Sequence, residues 1–239
     1  MKAQLDLDRK GFVDNSSSNK QAISFLIDNN PNVEPRIGSM IEDGLKSMLK
    51  KLQSNAVLAA RLDLLYLPIK KNIKSANPDR FFPATKAMVP KTGRTLTGDD
   101  ILSIKSGLID ASAKLTKMRN QYIVKKQGYF MPWIVMLVDE ANIKADKELE
   151  DYLMEKIKKD ELRIFTIVIG QKKEEYVYSF MDESNCYYVD AKNRLDKALD
   201  KIIESMMMAS KSSEKVRMQL QKNYIGAISW AQAAERVSH

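Results

Sequence analysis

The chain has 239 residues, of which 44% are hydrophobic and 29% are charged, and its formal net charge is +8. This composition is typical of a globular protein with one large core, and it excludes fibrous and intrinsically disordered architectures. The positive charge permits nucleic acid, an acidic protein face or an anionic membrane as a partner without selecting one, and no apolar run approaches the ~18 residues of a membrane span.

The first predicted unit is a buried strand followed by a polar loop and a helix. Residues 1–20 are polar and predict a flexible lead-in. The apolar run from Ala22 to Ile27 predicts the strand, which ends at Asp28, and helical spacing extends from Arg36 to Gln53. In open α/β sheets, ligands bind beyond the carboxyl ends of the parallel strands, so we expect Asp28 to lie at a binding edge.

The middle of the chain predicts a strand, a loop region and a long helix. The segment ARLDLLYL, residues 60–67, predicts a second strand that ends before Pro68. Residues 68–98 are rich in proline and polar residues, which predicts loops with at most short edge strands. The long helix is predicted from Ile101 to about Lys125, with Thr97 or Asp99 as its cap.

The C-terminal half alternates between predicted strands and helices. The run WIVMLVDE after Pro132 predicts a deeply buried strand, and this strand also ends on an acidic residue, Asp139. The elements predicted after it are a helix at 146–158, a strand at 161–170, a short helix at 173–181, a strand at 185–189 and a helix at 193–209. This alternation predicts an α/β fold with a doubly wound, mostly parallel sheet flanked by helices on both faces.

We predict a single folded domain with a tail at each end. The boundaries are 1–20 for the lead-in, 21–210 for the domain and 211–239 for a C-terminal tail that is partly helical. An exposed Trp230 in this tail would mark a docking face for a partner, whereas packing against the domain would bury it. The sequence leaves the oligomeric state and the partner open.

Cysteine and histidine are too scarce for several kinds of chemistry. The single cysteine, Cys186, excludes an intramolecular disulfide framework, as expected of a reducing compartment, and we predict a cytoplasmic protein with a buried, inert thiol. The single histidine is the terminal His239, which argues against His-based catalytic triads and His-rich metal sites. No glycine-rich phosphate loop follows any predicted strand.

Three polar segments fall at the predicted edge of the sheet. They are FLIDNNPN after the first strand, GRTLTGDDIL before the long helix and WIVMLVDEAN at the end of the central strand. Their order resembles a von Willebrand factor A (VWA) domain, and the resemblance extends from about Ala22 to Val216. Within that family the chain is most similar to the bacterial tellurium-resistance and stress-response proteins of the TerY-like group.

The resemblance implies a metal-ion-dependent adhesion site at this edge. In the family, such a site holds a divalent cation, here Mg²⁺ or Ca²⁺, and an acidic residue of a partner protein completes the coordination. Carried over residue by residue, the implied ligands are Asp28, Asn30, Asn32, Thr95 and Asp139.

This sequence departs from the family pattern in two of the three loops. The family's first loop is Asp-x-Ser-x-Ser, but both serines are asparagines here, and the family's Thr-Asp-Gly is Val-Asp-Glu. An asparagine oxygen is neutral and lies on a longer arm than a serine hydroxyl, so the coordination geometry must change. Either the site is retained, with Asp99 or Glu140 in place of a lost ligand, or it is degenerate and the fold is a metal-independent binding platform.

The resemblance implies a protein-interaction module rather than an enzyme. The expected role is bacterial, phage-encoded or plasmid-encoded stress-response signalling, with a protein partner recruited at the Asp28, Thr95 and Asp139 edge and with Asp99, Glu140 and Trp230 as further contact residues. The alternative from another class is a metal-dependent phosphotransfer or hydrolytic enzyme built on the same acidic residues. Nucleic-acid binding through the basic clusters between Lys70 and Lys126 is less favoured, and no membrane partner is expected.

Overall fold

The computed structural model of the chain describes residues 19–28, 35–68, 80–89, 104–140, 143–170, 177–181, 185–190 and 192–211. The strands in these ranges are β1 (Gln21–Ile27), β2 (Leu62–Pro68), β3 (Phe82–Pro83), β4 (Trp133–Asp139), β5 (Arg163–Ile169) and β6 (Cys186–Val189). The helices are α1 (Pro35–Ser54), α2 (Ala56–Arg61), α3 (Ile104–Val124), α4 (Lys147–Lys158) and α5 (Lys192–Lys211), and a 3₁₀ turn spans Ala84–Lys86.

The six described strands form a single sheet in the order β3-β2-β1-β4-β5-β6. All neighbouring strands are parallel except β3, which pairs with the start of β2 in the antiparallel sense. Parallel neighbours need crossover connections: α1 and α2 lie between β1 and β2 on one face of the sheet, and α3 before β4 and α4 after it lie on the other face. The predicted doubly wound, mostly parallel α/β architecture is therefore confirmed.

The central strands are apolar because they are covered on both sides. Every residue of β1 is buried, as are all residues of β4 except the last. Alternate side chains enter two different cores: Ile23, Phe25 and Ile27 pack under α1, α2 and α5, whereas Ala22 and Leu26 pack under α3 and α4. Continuous apolar runs are the pattern expected of parallel strands that are buried on both faces.

Helices α1 and α5 pack closely against each other on one face. A Cβ atom added at Gly44 of α1 would lie 3.0 Å from the Cδ2 atom of Leu195 and 3.2 Å from Cδ1 of Leu199, both on α5. The small residue therefore lets the two helices approach. Across the exposed side of this contact, Lys51 donates a hydrogen bond to Asp200 at 2.5 Å.

Two predicted elements differ from the structure. Residues 60 and 61, predicted as strand, are the end of α2, which Asn55 caps by accepting a hydrogen bond from the Leu58 N–H. The predicted helix at 173–181 is wrong for the part described, since residues 177–180 form bends and turns and residue 181 has no regular structure. There Tyr178 and Phe180 are both buried and their rings stack 5.0 Å apart, a spacing of two residues that one helical face does not provide.

The ends of the predicted domain coincide only in part with the described residues. Lys20, the last residue of the predicted lead-in, pairs with Tyr129 in an isolated parallel bridge, and Asn19 is 4% exposed. Residues 1–18 and the tail from residue 212 lie outside the described ranges. Among the helices described, none combines the length and apolarity needed to cross a membrane. The thiol of Cys186 is buried, as predicted.

Candidate functional site at the carboxyl edge of the sheet

The strand order places a topological switch point between the carboxyl ends of β1 and β4. The chain leaves β1 for α1 on one face of the sheet, whereas it leaves β4 for α4 on the other face. The two connections therefore diverge at this point of the edge, which is the topological switch point where open α/β sheets bind ligands. The residues that follow β1 and end β4 line this position.

Asp28 is a buried carboxylate at the switch point. Its side chain is 2% exposed, and its backbone N–H donates to the Leu137 carbonyl oxygen at 2.8 Å, which continues the β1–β4 ladder. One of its carboxylate oxygens, Oδ2, accepts a hydrogen bond from the backbone N–H of Asp139 at 3.1 Å. The structure therefore brings together the two aspartates that the sequence places 111 residues apart.

Glu140 follows Asp139 and lies across the end of β5. A Cβ atom added at Gly170 would be 2.5 Å from Oε2 and 2.7 Å from Cβ of Glu140. Gly170 itself has a φ of +147°, which L side chains rarely adopt, and its N–H donates to the Val189 carbonyl oxygen at 3.0 Å. The acidic edge therefore runs from Asp28 through Asp139 to Glu140, and a glycine provides the space for the last of these.

The segment between β4 and α4 is anchored beside this edge. Asp146 caps α4 by accepting from the Leu149 N–H at 2.9 Å, and Lys105 of α3 forms ion pairs with Asp146 at 3.0 Å and with Glu148 at 2.8 Å. The Leu149 N–H and the Lys105 ammonium lower the pKa of the Asp146 carboxyl below its ordinary value. The Tyr178 hydroxyl donates to the Lys144 carbonyl oxygen at 2.5 Å. These contacts hold in place the segment of the chain that follows Asp139.

Replacing Gly170 with alanine is expected to lower the free energy of unfolding by about 1–3 kcal/mol, because the change combines an unfavourable φ with a collision against Glu140. Urea denaturation of the variant measures the effect. The double variant Gly170→Ala, Glu140→Gly lacks the colliding Cβ atom and separates the backbone strain from the collision. Unchanged stability in the single variant would contradict the placement of Glu140 over Gly170.

Only part of the predicted cation site lies within the described residues. Asn30, Asn32, Thr95, Asp99 and Trp230 fall outside them, so the predictions for these residues remain predictions. Within the ranges that are described, no group of three or more His, Cys, Asp or Glu side chains is placed to hold a metal ion. Asp28 and Asp139 contribute carboxylate oxygens, the donors that Mg²⁺ and Ca²⁺ prefer, so the described donor set fits a hard divalent cation in type but supplies only two residues of it.

A second polar feature, at the amino end of the sheet, is absent from the sequence-based predictions. The Tyr122 hydroxyl of α3 donates to Oδ2 of Asp63 on β2 at 2.6 Å, and the two side chains are 5% and 6% exposed. Burial and the Asp63 carboxylate raise the pKa of Tyr122 far above its ordinary value, so this hydroxyl remains a donor. An aspartate inside the apolar run LDLLYL is a signal that could have indicated a buried polar contact.

Comparison with known proteins identifies the fold. No family model matches the sequence, and no curated protein matches it either. Two crystal structures of the pilus adhesin SpaC from Lactobacillus rhamnosus GG are similar, with TM-scores of 0.51 and 0.53, each at 10% identity over 80% of this chain and 30% of the adhesin. Proximal thread matrix protein 1 from the mussel byssus is similar with a TM-score of 0.50, at 16% identity over 78% of this chain and 47% of that protein.

These identities show the fold and nothing finer. This chain spans less than half the length of each of these two proteins. The strand order and the structural similarity together show that the chain has a VWA-like α/β fold, as the resemblance of its loops implied.

Proposed function

We propose that this protein is a protein-interaction module whose binding site is the Asp28 and Asp139 edge of the sheet. A divalent cation, Mg²⁺ or Ca²⁺, would be held there, and the partner would offer an acidic side chain. The observation that supports this proposal is the burial of the Asp28 carboxylate at the topological switch point, directly beside Asp139. The VWA-like fold is consistent with this assignment, since the resemblance implied an adhesion-type site at the same edge.

Electrostatics is consistent with a cation at this position. Burying an ionised carboxylate is unfavourable unless opposite charge or hydrogen-bond donors compensate for the lost hydration. Asp28 is 2% exposed, and its carboxylate accepts a hydrogen bond from the backbone N–H of Asp139, which is also acidic. Two carboxyl groups at adjacent strand ends repel each other, and a divalent cation would neutralise both.

Each described residue has a distinct role in the proposed site. The buried Asp28 would provide one carboxylate ligand of the cation, and the N–H of Asp139 orients the Asp28 carboxylate. Asp139 is partly exposed and would provide the second carboxylate. The bound cation would supply positive charge at this edge, where it attracts an anionic group of the partner. The role assigned to the module is binding, without a chemical step.

The partner and its pathway follow from the resemblance rather than from the described geometry. We propose a cytoplasmic, stress-response type of signalling role of the kind implied by the tellurium-resistance group. A partner of the matching chemistry exposes an Asp or Glu side chain, because a carboxylate oxygen can complete the coordination of a hard divalent cation.

A displayed peptide library tests this proposal directly. The full chain is immobilised in Mg²⁺ and then in Ca²⁺, and bound peptides are eluted with a chelator. We expect the eluted peptides to share an Asp or Glu. Their affinity for the Asp139→Ala variant is expected to be lower by at least about tenfold, and their affinity for the Asp190→Ala variant is expected to equal that for the unaltered chain. Asp190 is the matched control because it follows β6 at the same edge of the sheet and pairs with Arg194 at 3.1 Å.

Peptides that bind equally with and without the chelator, and equally to Asp139→Ala, would contradict the proposed site. The result would then support a metal-independent surface elsewhere on the chain. Circular dichroism of each variant confirms that a loss of binding reflects the site and not the fold.

A further inference from the structure

The amino end of the sheet, opposite the proposed interaction edge, holds a cavity of about 550 Å³. We call it the amino-end cavity. It lies between the starts of β1 and β2, the segment at 80–83 and the C-terminal half of α3. Its volume is within the range of about 300–1,000 Å³ that is typical of small-molecule sites. Its lining includes Lys20, Asp63, Arg80, Lys117, Tyr122 and Lys125.

Cationic side chains dominate the wall of the cavity. Lys114 and Lys117, three residues apart on one side of α3, line it together with Lys125, the first residue after that helix. Arg80 lines the facing segment, where its guanidinium lies 5.0 Å from the centre of the Phe82 ring. The aromatic contact orients this guanidinium without neutralising its charge.

The cations of this wall are only partly neutralised by the protein. Lys114 pairs with Asp110 at 2.5 Å, and the Lys20 ammonium donates to the Ala60 carbonyl oxygen at 2.6 Å. Arg80, Lys117 and Lys125 form no ion pair with any residue in the described part of the chain. Clustered exposed cations repel one another, and an anionic ligand would relieve that repulsion.

The interior of the cavity has the opposite character. Asp63 lines it and is 6% exposed, and the Tyr122 hydroxyl is its hydrogen-bond donor at 2.6 Å. An ionised carboxylate only accepts hydrogen bonds, so it repels a bare phosphate and favours a ligand group that carries a hydroxyl hydrogen. The cavity therefore pairs a buried acceptor with a cationic mouth.

These two properties together specify the chemistry of a ligand. Its neutral end must offer hydroxyl groups to Asp63, and its other end must carry negative charge to the cations at the mouth. Inorganic phosphate satisfies only the second requirement. A nucleic-acid backbone is also disfavoured, because an extended polyanion follows a charged stripe, whereas this site is a concave cavity with a carboxylate inside.

We propose that the amino-end cavity binds a small phosphorylated metabolite that carries free hydroxyl groups, such as a nucleotide or a sugar phosphate. The phosphate contacts Arg80, Lys117 and Lys125, and a ligand hydroxyl donates to Asp63. This site is separate from the proposed interaction edge, since the two lie at opposite ends of the parallel strands.

Isothermal titration calorimetry of the full chain tests the proposal. The probes are ATP, ribose 5-phosphate and pyrophosphate, all in the presence of EDTA so that a cation at the other edge does not contribute. We expect saturable binding of at least one hydroxyl-bearing probe. In the double variant Lys117→Glu, Lys125→Glu, this binding is expected to be weaker by about tenfold or more. The matched control is Lys50→Glu, Lys197→Glu, which changes the net charge equally at two exposed lysines of α1 and α5 and is expected to leave binding within about twofold.

A second variant tests the recognition of the hydroxyl group. Asp63→Asn keeps an oxygen that can accept from Tyr122 but removes the negative charge, so we expect weaker binding of the hydroxyl-bearing probe and unchanged or tighter binding of pyrophosphate. Two results would overturn the proposal. One is the absence of saturable binding by ATP and by ribose 5-phosphate, which would indicate a nucleic-acid site if a short single-stranded oligonucleotide binds instead. The other is equal binding by the unaltered chain and by the double variant Lys117→Glu, Lys125→Glu.

Discussion

Replacing Phe165 with alanine is expected to lower the free energy of unfolding by about 3–5 kcal/mol, the range for deleting a buried aromatic side chain. Phe165 lies in the middle of β5, is 1% exposed and packs edge-on against Trp133, with 4.9 Å between ring centres. The loss combines the transfer of apolar surface with a cavity that the surrounding strands cannot fill by relaxing. We expect the melting temperature to fall by about 10 °C.

Two control variants separate packing from general sensitivity to mutation. Phe165→Leu keeps most of the buried volume and is expected to cost about 1–2 kcal/mol. Val124→Ala changes a side chain at the end of α3 that is 82% exposed, and its effect is expected to stay within about 0.5 kcal/mol. A Phe165→Ala variant as stable as the unaltered chain would contradict the position of this ring in the core beneath α1 and α5.

Replacing Tyr122 with phenylalanine is expected to destabilise the protein by about 1.5–3 kcal/mol. The change adds no volume, but it removes the hydroxyl that donates to the buried Asp63 carboxylate at 2.6 Å. A buried charge that loses its hydrogen-bond donor loses compensation for its desolvation, and this is more unfavourable than the loss of a neutral hydrogen bond. Urea denaturation at neutral pH measures the difference.

The control for this prediction is the same chemical change on the neighbouring helix. Tyr152 of α4 is 37% exposed and its hydroxyl lies 3.4 Å from that of Ser112, so water can replace the contact and Tyr152→Phe is expected to cost less than about 0.5 kcal/mol. In an Asp63→Asn background, Tyr122→Phe should lower the free energy of unfolding by less than it does alone. The reason is that a buried amide without a hydrogen-bond donor is less unfavourable than a buried carboxylate without one. Equal costs in the two backgrounds would show that the Tyr122 hydroxyl does not stabilise a charge.

The fold could be predicted because the strands at the centre of a parallel sheet have a distinctive pattern. The runs AISFLI, WIVMLV and RIFTIVI are almost continuously apolar, and a helix follows each of the first two in the structure. The start of β2 was harder to predict, because Ala59 and Arg61 of α2 lead without a break into the apolar residues of the strand. Periodicity does not distinguish a short buried helix from a strand within such a run, and only the cap at Asn55 marks the helix.

The pairing of the two aspartates follows from topology rather than from local sequence. Asp28 and Asp139 each end a buried strand, and the carboxyl ends of parallel strands meet at one edge of a sheet. What the sequence did not predict is the hydrogen bond from the Asp139 backbone N–H to Asp28, because it depends on the register in which Ile27 pairs with Leu137. Register is set by the packing of the whole sheet.

The amino-end cavity was not predicted because its contacts are distant in the sequence. Asp63 and Tyr122 are separated by 59 positions and belong to different elements. The lysines of α3 that line the cavity resembled an ordinary solvated basic cluster, and only the packing of this helix over the start of β2 gives them a common target. The lysines Lys114 and Lys117 on α3 and Lys125 directly after it, close to Tyr122 in the sequence, are the signal that could have indicated a site.

The central claim is that the Asp28 and Asp139 edge binds a divalent cation, and calorimetric titration of the full chain with Mg²⁺, Mn²⁺ and Ca²⁺ tests it most directly. The decisive variant is Asp28→Asn, which keeps an oxygen that can accept from the Asp139 N–H and removes the charge. Asp190→Asn, at the end of β6 on the same edge, is the matched control.

We expect saturable binding of one cation per chain, with a dissociation constant of about 10⁻⁵–10⁻³ M, both in the unaltered protein and in Asp190→Asn, and at least about tenfold weaker binding in Asp28→Asn. Folded protein that binds none of the three cations at millimolar concentration, or that binds them equally in Asp28→Asn, would contradict the account.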